Sequence, residues 1–395
     1  MTEKNTTISQ QPIHVHFNLQ AYNIRNGFHT YETEITRRLS RCDDIEADAY
    51  CFSARTSWPV REDLPVRRIA FPFYMAFRNS TISFPRRIAS SIFRPFAPFI
   101  SFNCLTGGNP GDIFVFFENS VPSLKLKGKV IAVLHDIIPI RMVDACGKEL
   151  ETRFRRMAEE LIRKTAKIIT VSEYSKKDIT DYFNTDGSKI EVIHNAVNAE
   201  EFSRDKSTSE YFRGLRKKYG LPEKYILHFG SCLAQKNIDT LIRAYAMLPE
   251  NLRDEYSLMI TNPDDEVMKC AGENGVSGRM IYADKIPDED KPGIYQLASL
   301  FAWPSYIEGF GIPILEAQAS GVPVVSSNTA SMPEVAGNAA VYFDPYDTAG
   351  MSEAMHKCLT DEILRSELIA KGYENVKRFS WDESARKFHD IITSL

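Results

Sequence analysis

The segment 304–317 carries the residue types that a phosphate-binding site needs. A strand is predicted to end near Trp303, a loop with Gly309 and Gly311 follows, and Pro313 stands where the first turn of a helix would begin. Glycines directly before a helix allow several backbone N–H groups to point at one anion. The pattern therefore predicts an anion site between this loop and the helix.

Two carboxylates flank the predicted anion site, Glu308 in the loop and Glu316 in the helix. Carboxylates repel phosphate, so their expected task is to accept hydrogen bonds from sugar hydroxyl groups beside it. Together, the glycines and the carboxylates favour a cradle for a nucleotide sugar. The alternative is an ordinary helix start with an acidic first turn, which would account for the Gly-Pro element and one glutamate.

The rest of the chain alternates short apolar runs with amphipathic helical patterns. Predicted helices are 31–42, 148–166, 237–248, 292–298, 312–319 and 381–395. Two series of strands are predicted, at 13–17, 112–117, 129–134, 167–172 and 189–194, and at 225–229, 256–261, 279–283, 300–303 and 322–326. Apolar strands bounded by helices indicate parallel sheets covered on both faces. The fold class is therefore α/β, with two doubly wound, Rossmann-like domains.

A polar, weakly patterned segment separates the two series of strands and is the best candidate for a linker. We predict an N-terminal domain over 1–200, the linker over 201–222, and a C-terminal domain over 223–379. The final helix, 380–395, is expected to pack back on the N-terminal domain. A ligand cleft would then lie between the domains, at the carboxyl ends of the strands.

Composition and charge exclude several classes of protein. The 395 residues are 43% apolar and 25% charged, which is ordinary for a globular chain. The net charge is −4, whereas a nucleic-acid-binding protein usually has a strong basic excess. No apolar run approaches the ~18–20 residues of a membrane helix. The seven cysteines are scattered without a CxxC pair, so we expect reduced thiols in a cytoplasmic protein.

Several motifs make the chain resemble the retaining glycosyltransferases of family 4, the mannosyltransferase-like group 1 enzymes with the GT-B fold. The spacing from Glu308 to Glu316, with Gly-Phe-Gly-Ile-Pro inside it, carries the resemblance most strongly. Further matching segments are 171–175, 192–197, 229–230, 236–237, 320–325 and 333–337. The resemblance implies that the C-terminal domain binds a nucleotide-diphosphate sugar and that the N-terminal domain binds the acceptor.

The resemblance also implies roles in donor binding. Glu316 is expected to bind the ribose of the donor, and Glu308 to lie against the donor sugar. Lys236 would neutralise the departing diphosphate, which gains negative charge as the glycosyl bond breaks. The backbone that should face the diphosphate and the sugar belongs to Gly309, Phe310, Gly311 and Ile312.

On the N-terminal side, His135 is expected to lie under the donor sugar, and Gly27 where the family's glycine loop closes over the phosphates. His135 and Glu308 are the predicted catalytic side chains, since a group close to the anomeric carbon can stabilise an oxocarbenium-like centre or hold the ring. One donor-site position departs from the family, because Ser231 stands where many members have arginine. Lys236 is then the only cation that the motifs place at the leaving group.

These observations predict a retaining hexosyltransferase that needs neither a metal nor another cofactor. Its product would belong to cell-surface polysaccharide or glycoconjugate synthesis, with a glycan or a lipid-linked glycan as acceptor. Mannose from GDP-mannose is the first candidate donor, because 134–139 resembles the mannosyl branch of the family. Front-face attack and a covalent intermediate both stay open. A non-catalytic GT-B scaffold or binding protein and a nucleotide-sugar epimerase of the same fold are the alternatives.

Two further patterns contain residue types that bind metals. Asp288 and Asp290 form a DxD sequence, but they precede a predicted helix, and an acidic first turn is the favoured interpretation. His14 and His16 alternate in the first predicted strand. We expect one of them to face the core and the other the cleft edge, without a ligand role.

The stretch between Leu64 and Gly111 has no acidic residue, six arginines and nine aromatic residues. Arg86, Arg87 and Arg94 occur with apolar residues at roughly helical spacing. Such a segment can lie in an anionic membrane interface, with arginines at the lipid phosphates. The sequence thus predicts a peripheral location on the inner face of the membrane. The alternative is that the aromatic residues belong to the core and the arginines form a solvated rim.

Overall fold

The computed structural model describes residues 12–19, 27–52, 66–69, 102–117, 119, 121, 125–203 and 208–395. Arg86, Arg87 and Arg94, for which a membrane contact is predicted, lie outside these residues. In the described part of the chain, no helix combines the length and the apolar character needed to cross a membrane.

The first sheet has seven parallel strands in the described residues, in the order β3-β2-β1-β4-β5-β6-β7. They are β1 Ile13–Asn18, β2 Ile45–Phe52, β3 Val66–Ile69, β4 Ile113–Phe116, β5 Lys129–Val133, β6 Lys167–Thr170 and β7 Ile190–Val192. Every residue of β4 is buried, which explains its unbroken apolar sequence. The sequence patterns missed β2 and β3, since β2 alternates acidic and apolar residues instead of forming an apolar run.

The second sheet has six parallel strands in the described residues, in the order β10-β9-β8-β11-β12-β13. They are β8 Tyr225–His228, β9 Ser257–Thr261, β10 Met280–Ala283, β11 Leu300–Trp303, β12 Val324–Ser327 and β13 Val341–Phe343. Both sheets are doubly wound, and each reverses its strand order at the centre, beside β1 and β8. The predicted α/β fold with two parallel sheets is confirmed.

Helices cover both sheets. Those that precede β8 are α1 Gly27–Leu39, α2 Phe102–Thr106, α3 Ile138–Arg141, α4 Val143–Cys146, α5 Lys148–Lys164, α6 Glu173–Phe183, α7 Ala199–Phe202 and α8 Ser209–Tyr219. Those that follow it are α9 Ile238–Ala246, α10 Glu250–Glu255, α11 Asp265–Glu273, α12 Lys291–Leu297, α13 Ile312–Ala319, α14 Met332–Ala336, α15 Thr348–Thr360, α16 Glu362–Val376 and α17 Trp381–Ser394.

The predicted linker, 201–222, is largely helical. Thr208 caps α8 by accepting a hydrogen bond from the N–H of Tyr211, and the helix ends at Gly220 in the left-handed conformation. Leu215 is buried against α12, where a Cβ at Gly293 would lie 2.2 Å from the Leu215 Cδ1 atom. The segment therefore packs on the second sheet's helices, while the domain boundaries stay a prediction.

The last helix returns to the first half of the chain. The rings of Trp381 in α17 and Tyr31 in α1 are 6.0 Å apart, and Phe388 lies 6.0 Å from Phe117. The hydroxyl of Ser384 donates a hydrogen bond of 2.8 Å to the carbonyl oxygen of His194. These buried contacts join α17 to the first sheet and its covering helix.

Candidate active site

The glycine-rich loop after β11 leads directly into α13. Gly311 precedes the helix with φ at 107°, in the left-handed region that glycine tolerates best, and Pro313 occupies the first turn. The first N–H groups of a helix have no partner within it. The structure thus produces the helix start that the glycine and proline positions predict.

Gly309 marks a close approach between the two halves of the chain. A Cβ at this position would lie 2.6 Å from the Asp136 Oδ2 atom, so no other residue fits without movement. The carbonyl oxygen of Gly309 accepts hydrogen bonds from the hydroxyl of Ser172 at 2.7 Å and that of Ser175 at 3.2 Å. The loop is therefore held against β6 and α6 of the first half.

Lys236 and Glu308 form one ion pair in the cleft, with 2.6 Å between Nζ and Oε1. The ammonium group also lies 4.5 Å from the ring centre of Trp303, which packs beneath it. Asn237, left-handed at φ 57°, ends the turn that carries Lys236, and its side-chain amide donates to the carbonyl oxygens of Pro304 and Pro345. The structure brings the two predicted donor-site residues together.

Glu316 is buried on α13, and two partners from α12 hold its carboxylate. Lys291 forms an ion pair with Oε1, and the hydroxyl of Tyr295 donates a hydrogen bond of 2.8 Å to Oε2. Burial beside this carboxylate raises the pKa of Tyr295 well above its ordinary value, so its hydroxyl remains a donor. Sequence reasoning missed Lys291 and Tyr295, since their distance from Glu316 along the chain carries no signal.

His135 and Asp136 follow the carboxyl end of β5. Burial lowers the pKa of His135 to about 3, so its imidazole is neutral, and its Nε2 has no hydrogen-bond partner among the described residues. The edge of Phe28 lies against this ring at a centroid distance of 4.3 Å. Burial, with a contribution from Glu308, raises the pKa of Asp136 to about 6. The neighbouring aspartate was not among the predicted site residues.

The remaining predicted donor-site residues occupy different positions. Gly27 is the first residue of α1, and a Cβ there would lie 3.6 Å from the Ile312 Cδ1 atom, so the starts of α1 and α13 are within van der Waals distance of each other. Ser231 is exposed. The Phe310 side chain is buried between His194 and Phe379, which leaves only its backbone for a ligand.

The DxD sequence is part of a helix start. Asp290 directly precedes α12, and its carboxylate is bound by Lys218 at 2.5 Å and by the hydroxyl of Tyr219 at 2.6 Å. Although burial acts in the opposite direction, these two donors lower the pKa of Asp290 below its ordinary value. The side chain joins α8 to α12.

A carboxylate of the second half caps a helix of the first. Glu334 on α14 accepts hydrogen bonds from the backbone N–H groups of Glu173 and Tyr174, at 2.9 and 3.2 Å, at the start of α6. Its Oε1 also lies 2.8 Å from the Nε2 atom of His194. Together with the bonds to Gly309, this capping joins the two halves of the chain, a role that the matching segment 333–337 does not reveal.

Comparisons with known proteins agree with this architecture. Residues 25–201 match the family model described as Glycosyltransferase Family 4, and 213–375 match the model described as Glycosyl transferases group 1. The crystal structure of WaaG, a glycosyltransferase involved in lipopolysaccharide biosynthesis, has a TM-score of 0.72 at 20% identity, covering 96% of this chain and 99% of its own. Anabaena HepE in complex with UDP and glucose has a TM-score of 0.70 at 15% identity, with 97% and 100% covered. These two likenesses concern the fold.

Two relatives from Escherichia coli are similar in sequence. The serotype-specific mannosyltransferase WbdA is 31% identical over 302 residues, covering 72% of this chain, which spans only 36% of the relative's length. The O-antigen chain mannosyltransferase B is 33% identical over 258 residues, covering 64% of this chain and 67% of the relative. The glutamate spacing, the two parallel sheets and these matches agree, and the chain belongs to the group 1 glycosyltransferases of glycosyltransferase family 4.

Proposed function

We propose that the chain is a retaining glycosyltransferase that moves a hexose from a nucleotide-diphosphate sugar to a glycan acceptor in polysaccharide synthesis. The observation that carries the proposal is the arrangement of Glu308 and Glu316, each held by its own lysine on either side of the start of α13. This geometry offers acceptors for sugar hydroxyl groups next to donors for a diphosphate, as the donor of such a reaction requires.

Donor binding would use both ends of this arrangement. The carboxylate of Glu316, fixed by Lys291 and Tyr295, accepts hydrogen bonds from ribose hydroxyl groups. The N–H groups at the start of α13 face the diphosphate. Lys236 is partnered by Glu308, and an arriving diphosphate would provide a second anionic partner for its ammonium group.

Bond cleavage would place positive charge on the sugar and negative charge on the leaving diphosphate. Lys236 stabilises the diphosphate without a metal. The attraction between its ammonium group and the diphosphate becomes stronger as the glycosyl bond breaks. His135 is neutral because burial lowers its pKa to about 3. Its Nε2, which has no hydrogen-bond partner in the described part of the chain, is offered to a sugar hydroxyl instead of acting as a cation. In front-face attack the acceptor oxygen forms the new bond on the side of the departing phosphate, whose oxygen takes the acceptor proton.

Mannose is the donor sugar that we propose first. Both Escherichia coli relatives have names that describe mannosyltransferases, and the segment 134–139 resembles the mannosyl branch. HepE was crystallised with UDP and glucose, so glucose donors belong in any panel. The acceptor that we propose is a glycan, either soluble or linked to a lipid.

The experiment offers GDP-mannose, UDP-glucose and UDP-galactose to the purified chain, with and without a mannose-containing acceptor, and measures released nucleoside diphosphate. We expect release with GDP-mannose and an α-linked product by NMR. Glu316→Gln should abolish most of the release, while Glu353→Gln, at an exposed glutamate of α15, should not. Donor binding without turnover on any acceptor would favour a scaffold, and conversion of the donor to an isomer without nucleotide release would favour an epimerase.

A peripheral membrane position is a second part of this proposal, carried by the basic, aromatic sequence around Arg86, Arg87 and Arg94. Replacing all three arginines by serine should reduce flotation with anionic liposomes and slow transfer to a lipid-linked acceptor, but not to a soluble one. Absence of liposome binding by the unmodified chain, or binding that ignores both salt and the substitutions, would contradict the proposal.

A further inference from the structure

A cluster of imidazole and carboxylate groups lies on one face of the first sheet, near the amino end of β1. His14 and His16 are two residues apart in the strand, so both point to the same face. Their ring centres are 4.6 Å apart. The expectation that one faces the core and the other the cleft edge is therefore wrong. Asp48 on β2 is paired directly with His16.

Asp112 lies beside both rings and forms a hydrogen bond with that of His16. Its Oδ2 atom lies 2.8 Å from the Nε2 atom of His16 and 3.5 Å from the Nδ1 atom of His14. A neutral imidazole has one N–H, so a hydrogen bond from Nε2 of His16 leaves its Nδ1 with a free lone pair. That Nδ1 is buried and has no hydrogen-bond partner among the described residues. Carboxylates behind metal-binding histidines occupy this position.

The three atoms on the other side of the rings have spacings close to those of metal ligands. Asp48 Oδ2 lies 3.2 Å from His14 Nε2 and 3.8 Å from His16 Nδ1, and ligand atoms of the three residues all lie within 4.8 Å of one another. Tetrahedral Zn²⁺ with bonds of about 2.0–2.1 Å places its ligands roughly 3.3 Å apart. Both distances to the Asp48 oxygen are within about 0.5 Å of this spacing.

We propose that His14, His16 and Asp48 bind one Zn²⁺ ion, with Asp112 as the residue that positions the ring of His16. A water molecule would complete the tetrahedron. The side chains of His14 and Asp48 are 26% and 31% exposed, which gives the ion a path from solvent, whereas His16 is fully buried.

The site is separate from the donor cleft. The cleft residues follow the carboxyl ends of the strands, whereas His14 is the second residue of β1 and Asp112 precedes β4. A metal here joins β1, β2 and the turn before β4, so its effect is on stability rather than on transfer. The alternative is that no metal binds and that the two aspartates contact the histidines directly.

The test uses the purified full chain, stripped with a chelator that is then removed, and titrates ZnCl₂ by calorimetry. We expect one equivalent to bind and the melting temperature to rise with Zn²⁺ concentration. His14→Ala and Asp48→Asn, at partly exposed positions, should each weaken binding at least as much as the roughly 10- to 100-fold typical of losing a supporting residue. Co²⁺ should give the intense visible absorption of a four-coordinate site.

The matched control variant lies in a second group of potential metal ligands among the described residues, which consists of Cys42, Asp44 and His389. His389→Ala should leave Zn²⁺ affinity unchanged. The proposal fails if the unmodified chain binds no stoichiometric Zn²⁺, if binding survives His14→Ala and Asp48→Asn, or if His389→Ala removes it. Should either variant lose its circular-dichroism signature, the Co²⁺ spectrum of the unmodified chain decides, since a weak six-coordinate spectrum contradicts three such ligands. Transfer activity plays no part in these readouts.

Discussion

Replacing Lys291 by methionine separates the role of Glu316 in stability from its role in donor binding. The Glu316 side chain is 7% exposed and that of Lys291 is 24% exposed. Breaking a fully buried ion pair costs about 3–5 kcal/mol, because the remaining charge has no partner. Since a quarter of Lys291 is in contact with solvent, we expect a smaller loss, with the free energy of unfolding falling by about 2–3 kcal/mol.

Donor affinity should fall for a different reason. Without Lys291, Tyr295 is the one remaining hydrogen-bond partner, within the described ranges, for the carboxylate that we assign to the ribose. A hydrogen bond to a charged group is worth about 1.5–3 kcal/mol, so Glu316→Gln should weaken binding of the nucleoside diphosphate by about 10- to 100-fold. Lys291→Met should have a smaller effect in the same direction, because the carboxylate remains.

The double variant, with Lys291→Met and Glu316→Gln, gives the decisive comparison. The double variant has neither the lysine nor the glutamate charge, so no unpaired charge is buried. Its free energy of unfolding should therefore return to within about 1 kcal/mol of that of the unmodified chain, while donor binding stays weak. Denaturant unfolding and calorimetric titration measure the two quantities, and Lys377→Met, at an exposed lysine, should change neither. Unchanged donor affinity in Glu316→Gln, or tight binding by the double variant, would refute the reasoning.

Three further predictions follow from the cleft. Lys236→Ala should lower kcat more than it raises KM, and EDTA should leave the transfer rate unchanged; loss of activity in EDTA that Mg²⁺ restores would contradict the metal-free mechanism. Gly309→Ala places a methyl group 2.6 Å from Asp136 and should lower the free energy of unfolding by about 1–3 kcal/mol, measured by denaturant unfolding. Gly278→Ala is the control, because open space surrounds that position, and it should leave the free energy of unfolding unchanged. Equal effects of the two substitutions would mean that the loop at Gly309 moves freely. Hydrogen bonds lower the pKa of Glu334 although burial opposes them, so its carboxylate contributes stability above the ordinary pKa of 4.5, which is lost as pH falls through the folded value. The stability lost in Glu334→Gln should therefore be largest near pH 7 and vanish in acid, and a loss that is constant with pH would contradict this assignment.

Local patterns predicted the donor-site loop well, because its chemistry is encoded in adjacent residues. Gly309, Gly311 and Pro313 determine one turn, and the structure places the start of α13 there. The other apolar strands were equally clear, except for the three-residue β13, which the patterns missed. By contrast, α1 begins at Gly27 rather than near residue 31, since its first turn contains no acidic residue that would mark the start.

The partners of the charged residues could not be predicted from spacing. Lys291 is 25 residues from Glu316, and Glu334 is 161 residues from the N–H that it caps. Such pairs exist only once the helices are packed. The strand β2 was not predicted because acidic residues, among them Asp48, alternate with its apolar residues and interrupt the apolar run. The residues that depart from the expected patterns are thus those with charged neighbours from distant parts of the chain.

The return of α17 to the first half has a mechanical consequence. The chain crosses between the halves twice, once between β7 and β8 and again between α16 and α17. Two rigid bodies that are connected at two points have mainly one degree of freedom for relative motion, which is rotation about the line through both connections. His194 lies beside this line, since it contacts Ser384 near the second crossing and Glu334 of the opposite half. We therefore expect the two halves to open by a hinge rotation about an axis near His194, and substitutions there should alter the rate at which product leaves.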